Sequence, residues 1–246
     1  VDFDPVRAKA AGEKPASICK RLGLTPEMLE LFPSRLVNSE LGEIPEGWEG
    51  GTLADLSVLN PEVWTHETRP AEIEYVDLSN TKWGRIEAIM PYTTTDAPSR
   101  AQRVLRPGDT IVGTVRPGNG SYALIFDADL TGSTGFVVLR PRLKIYTEFL
   151  YLEATKRGNI DVWAHLADGG AYPAIRPEVI ATTRCVIPND DTVVSEFSHL
   201  TCTLFANIAR NDHESYVITN VRDILLPKLV LGELQVKDTV KLNEET

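Results

Sequence analysis

The 246-residue sequence predicts an α+β fold: a twisted mixed or antiparallel β-sheet domain with short helices, then one long projecting coiled-coil-type helix. Three observations carry this. Between 51 and 189, short β-branched or aromatic runs alternate with turn residues. A few helical pieces interrupt them at unequal intervals, which is the α+β arrangement. After Pro188, roughly 35 residues pass without proline or glycine and carry a seven-residue apolar repeat.

Residues 1–50 read as a proximal connecting segment. "TPEMLELF" (25–32) has a threonine N-cap, proline at the first helical position and glutamate next, so it predicts a short helix. The stretch that follows is rich in Pro, Gly, Ser and Glu, with Leu36, Leu41, Ile44 and Trp48 as spaced anchors, and predicts a linker packed along a surface. Over 51–189 the runs "TLADLSVL", "EIEYVDLSN", "DTIVGTVRP", "YALIFDADL", "TGFVVLRPR" and "TRCVIP" predict strands. "TEFLYLEATKRG" (147–158) predicts a helix with a glycine stop, and "RPEVIATT" (176–183) one opened by proline. Residues 190–226 predict the long helix, with Asp190 and Asp191 favouring its N-terminal dipole. Phe197, Leu204, Asn211, Ile218 and Leu225 recur every seven residues, flanked by Leu200, Ile208 and Val221. That is a seam for another helix, with Asn211 as the polar position that sets register. Pro227 is expected to end the helix and leave a C-terminal tail over 227–246.

Composition narrows the chemistry. The chain is 42% hydrophobic and 24% charged, ordinary for a protein with a core, and no run approaches the roughly 18 apolar residues of a membrane span. Val1 is not an initiator methionine and the acidic, polar opening is no signal sequence, so the chain is expected to begin mid-protein. Cys19, Cys185 and Cys202 are too few for a disulfide framework and suit a reducing cytoplasm. The histidines are scattered, no Cys-x-x-Cys pair exists, and "PGNGS" lacks the lysine and helix of a phosphate loop. No G-x-S-x-G elbow occurs. Asp168, Tyr172 and Arg176 in "LADGGAYPAIRP" form the one conceivable catalytic group; an Asp-Gly-Gly turn before a proline-opened helix is the simpler account. The expectation is a chain that binds and does not catalyse.

Net charge is −10, yet residues 79–122 hold six basic and three acidic side chains, a local +3. This window contains "GTVRPGNGSY" (113–122), a strand ending in Arg, Pro, Gly and Asn, and suggests docking of an anion.

"VDFDPVRAKAAG", "FPSRLVNSELGEIPEGWEGGTLADL", "STGFVVLRP", "ADGGAYPAIRPEVI" and "VRDILLPKLVLGELQVKD", in that order over residues 1 to about 238, resemble the specificity subunit of type I restriction–modification enzymes. The resemblance implies two target recognition domains per subunit, each followed by a long helix, the two helices pairing antiparallel. This sequence resembles the second half: one recognition domain (51–189), which reads one half of a bipartite DNA site, and one conserved helix (190–226). Implied partners are double-stranded DNA, the modification and restriction subunits, and an antiparallel helix from the first half or from a second copy. S-adenosylmethionine, ATP and magnesium belong to those other subunits, so no cofactor is expected here. A stand-alone half subunit that dimerises through its helix to read a symmetric site is the alternative.

Bases are read by forked and amide side chains, and phosphates by Lys, Arg and hydroxyls. Under that resemblance Arg116 suits guanine and Asn119 adenine, with Ser121 on the same loop. Gly118 and Gly120 would let backbone approach. Lys82, Trp83 and Arg85 are offered beside them, as are Arg103 and Arg106. Tyr92, Thr94, Thr95, Ser99 and Arg100 form a second loop, and 168–172, with Tyr172, a third. Arg140 is expected to be structural.

Overall fold

The computed structural model describes residues 3–65, 67–167, 170 and 172–233. The chain forms two units, Val1–Phe205 and Ala206–Thr246.

The first unit opens with three short helices, α1 (Asp4–Ala10), α2 (Pro15–Leu22) and α3 (Pro26–Glu30). Each begins at or next to a proline, and Thr25 caps α3 by accepting the Met28 N–H at 3.2 Å. Ala8, Ile18 and Leu29 close a small core between them. A hairpin follows, β1 (Leu36–Ser39) on β2 (Gly42–Pro45), and then β3 (Trp48–Thr52). The first 50 residues are therefore more ordered than a packed linker. Trp48 ties them together, edge-on to Phe3 and tilted against Phe32.

"TLADL" departs from its strand expectation and forms the single-turn helix α4 (Leu53–Leu56), leaving only β4 (Ser57–Leu59) as strand. The cause is a capping box: Asp55 accepts the Thr52 N–H at 2.8 Å while the Thr52 side chain accepts the Asp55 N–H. Beyond come β5 (Glu72–Val76), the small hairpin β6 (Thr81–Lys82) with β7 (Arg85–Ile86), β8 (Met90–Thr93), β9 (Ala101–Val104), β10 (Thr110–Gly113), β11 (Tyr122–Leu124), β12 (Leu130–Ser133) and β13 (Phe136–Pro141). The expected single helix over 147–158 is two, α5 (Thr147–Ala154) and α6 (Arg157–Leu166), so Gly158 lies inside a helix and stops nothing. Then α7 (Pro177–Ala181) and β14 (Arg184–Pro188) lead to α8 (Asp191–Val230).

Two four-stranded sheets form the centre, ordered β11-β10-β13-β4 and β8-β5-β12-β9. The first is antiparallel; in the second, β5 and β12 run parallel and the outer pairs antiparallel. Alternation along β10 and β13 explains their uninterrupted apolar character. Val112, Val137 and Leu139 face a core with Leu53, Leu150, Ile160, Trp163 and Ile180 from the helices. Ile111, Phe136 and Val138 face the opposite core, with Val76, Leu105 and Leu130. β14 pairs antiparallel with β3 and closes the block, setting Arg184 beside Thr52 and Pro188 beside Trp48.

The expected structural role of Arg140 is visible in detail. Its Nε and Nη2 donate to both oxygens of the almost fully buried Asp109 at 2.8 Å, and Nη1 reaches Glu62, which also pairs with Arg106. The two guanidinium groups hold the Glu62 carboxyl down at about 2. Among the described residues no helix is long and apolar enough to cross a membrane, and no group of His, Cys, Asp and Glu is arranged to hold a metal ion.

α8 begins as its sequence predicts: the Asp190 carboxylate accepts the Thr192 N–H at 2.8 Å. In the first unit Phe197 is half-buried edge-on to Phe149, and Leu204 is exposed. In the second unit Ile208, Asn211, Ile218 and Leu225 are exposed. Pro227 does not end the helix, which continues to Val230 with the Leu231 N–H donating to the Pro227 carbonyl at 2.9 Å. Proline removes one upstream bond but leaves its own carbonyl available, and one further turn forms on it. Residues 234–246 lie outside the described residues.

Candidate nucleic-acid interface

Backbone register gathers several chain segments at one end of the two sheets. Gly113, the last residue of β10, pairs with Phe136, the first of β13. Ser133 at the end of β12 pairs with Ala101 at the start of β9, and the Thr134 N–H donates to the Arg100 carbonyl at 2.7 Å. β5, parallel to β12, ends there too, and Asp77 just beyond it takes Arg100 in an ion pair at 2.6 Å.

From this end the "RPGNG" loop departs. Arg116 takes a left-handed conformation (φ 47°, ψ 61°) and starts a 3₁₀ turn over Pro117–Asn119. Its N–H donates to the Pro173 carbonyl at 2.8 Å, and its guanidinium lies 5.1 Å over the Tyr172 ring. The segment at 172–175 is thus laced to the loop at 114–120, also through Ile175 N–H to the Thr114 carbonyl at 2.9 Å. Asn119 is exposed beside them. Gly118 approaches Ala164 of α6, and Gly120, at φ +68°, faces the Trp83 indole so closely that a Cβ there would lie 2.6 Å from the ring. Trp83, at the tip of the β6–β7 hairpin, is itself left-handed (φ 49°) and donates its N–H to the Gly120 carbonyl at 2.7 Å. This sets the exposed Lys82 and Arg85 beside the Arg116 loop.

The structure therefore brings together Lys82, Arg85, Arg116, Asn119 and Tyr172, with Ser99 and Arg100 at the same sheet end. It separates others. Ser121 is buried, its hydroxyl donating to the Leu78 carbonyl at 3.1 Å, because the chain turns inward into β11. Tyr92, Thr94 and Thr95 sit at the opposite end of β5: Tyr92 pairs with Ile73 and the Thr94 N–H donates to the Ala71 carbonyl. That is about 20 Å from Asp77 along the strand. Their side chains are engaged locally, Tyr92 edge-on to Tyr75, Thr94 with the Pro70 carbonyl and Thr95 with Thr93. Arg106 is paired with Glu62, and Arg103 is half-buried, with desolvation lowering its pKa. Of the supposed catalytic group, Asp168 lies outside the described residues, Tyr172 is 73% exposed under Arg116, and Arg176 is the exposed N-cap of α7.

One neighbour was not read from the sequence. Arg157, first residue of α6, lays its guanidinium 5.1 Å over the Trp83 ring and pairs with Asp161 at 3.1 Å. Behind it Trp83, Tyr122, Tyr151 and Phe205 form a run of edge-to-face rings. Burial pushes the Tyr151 phenol up to about 12 and also raises that of Tyr122, against the opposing charge of Arg157. No local motif marks Arg157; only the break between α5 and α6 places it there.

No protein-family model matches the chain. The type I restriction enzyme HindI specificity subunit of Haemophilus influenzae is 31% identical over 103 residues, covering 39% of this chain and 22% of that subunit. The crystal structure of the HsdS subunit from Thermoanaerobacter tengcongensis superposes with a TM-score of 0.56 at 23% identity, over 85% of this chain and 54% of that one. The type I restriction–modification S subunit from M. genitalium aligns at 18% identity and a TM-score of 0.44, over 74% of this chain and 45% of that one. The chain thus spans about half the length of the solved subunits it matches. With a sequence match over those 103 residues and a shared fold over most of its length, the chain is homologous to the specificity subunits of type I restriction–modification systems.

Proposed function

We propose that this chain is a non-catalytic specificity component that reads one half of a bipartite DNA target within a type I restriction–modification assembly. The observation that carries the reading is the 31% identity to the HindI specificity subunit. The Arg116–Asn119 loop, locked to two neighbouring segments and set beside the exposed Lys82 and Arg85, supplies a surface suited to it. Residues 51–189 act as the target recognition domain and residues from 190 as the helix that meets a partner helix. Arg116 pairs with a guanine edge and Asn119 with an adenine edge, each discriminating by roughly 1–3 kcal/mol. Lys82, Arg85, Ser99 and Arg100 contribute backbone or edge contacts, with Tyr172 holding Arg116 in place. Methyl transfer and cleavage fall to the modification and restriction subunits.

Co-expression with a modification subunit, followed by mapping of methylated adenines, tests the reading. Methylation at a defined sequence that depends on this chain is the expected result. A purified complex that methylates nothing above the level of the modification subunit alone would sink it. A second reading is favoured by the exposed Leu204, Ile208, Ile218 and Leu225: two copies pair through α8 and read a symmetric site. A methylated palindrome would identify that arrangement.

A further inference from the structure

We propose that Arg157, held over the Trp83 ring, is a contact to a DNA backbone phosphate at this surface, and that Trp83 is its positioning residue. The inference rests on the DNA-reading function proposed above and adds α6 to the surface.

Arg157 side-chain exposure is 69%, yet two partners fix it: the Trp83 ring at 5.1 Å and Asp161, which takes Nε at 3.1 Å. Nε is one donor of five, and the two Nη groups carry the other four. A guanidinium held over a ring, with its terminal donors uncommitted by that pair, is organised for an anion of forked geometry, which a phosphate diester presents.

The Arg157 contacts themselves contribute little stability. The platform is Trp83 at φ 49°, a left-handed conformation that costs a bulky residue on the order of 1–3 kcal/mol. An exposed cation–π contact returns about 0.5–1 kcal/mol and an exposed helical ion pair about 0.3–0.5. The two-residue hairpin turn and the Trp83 N–H bond to Gly120 set the Trp83 backbone, whereas the Arg157 contacts add little to the fold, so the placement of a cation over this exposed ring is free to serve a ligand. The same strain recurs 33 residues on, at Arg116 (φ 47°), where a second arginine lies 5.1 Å over a second ring, Tyr172. The Trp83 N–H to Gly120 carbonyl bond and the indole packed on Gly120 join the two arginine–aromatic pairs into one body. Lys82 and Arg85, exposed and paired across the same hairpin, add positive charge next to Trp83. Arg157 is the first residue of α6, and helix N-termini are among the groups that hold backbone phosphates.

The test uses the full chain with its modification subunit, binding cognate duplex and a duplex of altered half-site across a salt series. Arg157→Ala is expected to weaken both duplexes by a similar factor and to reduce the slope of log affinity against log salt by about one. Trp83→Ala is expected to act in the same direction, and the double variant to be no weaker than Arg157→Ala, because the ring acts through the guanidinium. Trp83→Phe, which keeps a smaller ring, is expected to fall between, and guards against simple misfolding of the alanine variant. An unchanged salt slope in Arg157→Ala overturns the phosphate assignment, as does loss confined to the cognate duplex. Strictly additive losses in the double variant overturn the positioning role. Failure of the wild-type complex to bind any duplex overturns the underlying reading and this inference with it; wild-type binding with an unaffected Arg157 variant overturns this inference alone.

Discussion

Arg116 and Arg140 carry the same charge in opposite settings. Arg140 is sunk between Asp109 and Glu62, both of its forks occupied, and is expected to be silent toward DNA. Arg116 is exposed on a left-handed turn over Tyr172. Arg116→Ala should therefore cost about 1–3 kcal/mol, roughly ten- to a hundredfold, on the duplex carrying its guanine and little on a duplex altered at that pair. Competition binding across a one-base substitution series measures this; equal losses on every sequence would make Arg116 a phosphate contact. The Arg140 network makes a different prediction, in pH. Glu62 is held at about 2 against an ordinary 4.5, so the folded state favours its charged form. Its contribution is present above about pH 4.5 and is lost as pH falls toward 2. Glu62→Gln should cost about 1–2 kcal/mol near neutrality, after allowance for the partial exposure of this carboxylate. The gap to wild type should narrow in acid melts below about pH 4.5 and close as pH reaches about 2. A constant gap at all pH values would show that lost packing, not charge, is responsible.

Elements were legible where local chemistry decided them. Thr25 and the proline after it gave α3, Asp190 gave the start of α8, and the buried run in β13 declared itself by its β-branched residues. Others were set by partners distant in sequence. β6 and β7 are two residues each and exist because Trp83 and Gly84 bond the Gly120 and Tyr122 carbonyls. The α4 turn had a visible signal, threonine followed three residues later by aspartate, overridden here by a strand-like apolar pattern. The site divided on similar lines. The unusual "RPGNG" composition pointed to its own loop, while only the register of β5 against β8 shows that Thr94 lies at the far end of the sheet. On α8 the seven-residue period was plain, and Leu204 and Ile218 are 60% and 68% exposed. Leu204→Asp with Ile218→Asp should abolish pairing with a second helix, since two charges would enter an apolar seam. Sedimentation of the chain alone and with its partners measures the loss. Unchanged association would place the interface elsewhere.

At the scale of the molecule, the proposed function raises the question of which part of the chain would carry a sequence preference. Net charge is −10, so no general attraction to DNA is built in, and recognition has to be local. The block that holds the cationic loops enters through β3 and leaves through β14, and these strands are hydrogen-bonded neighbours, Thr52 beside Arg184. A segment whose two ends lie side by side can be exchanged with little disturbance to what flanks it. Both large cores lie largely inside this block; Leu53, Leu139, Ile160, Trp163 and Ile180 all fall between its ends. Replacing residues 53–183 by the corresponding block of another type I specificity subunit should thus give a folded chimera. If assembly contacts lie outside this block, as the proposed function requires, the chimera should still join the same modification subunit and direct its methylation to adenines in the donor's half-site. The decisive readout is methylation mapping of wild-type and chimeric complexes side by side. A folded, assembled chimera that went on marking the original sequence would move the reading surface out of the β block and into α8 or the N-terminal helices.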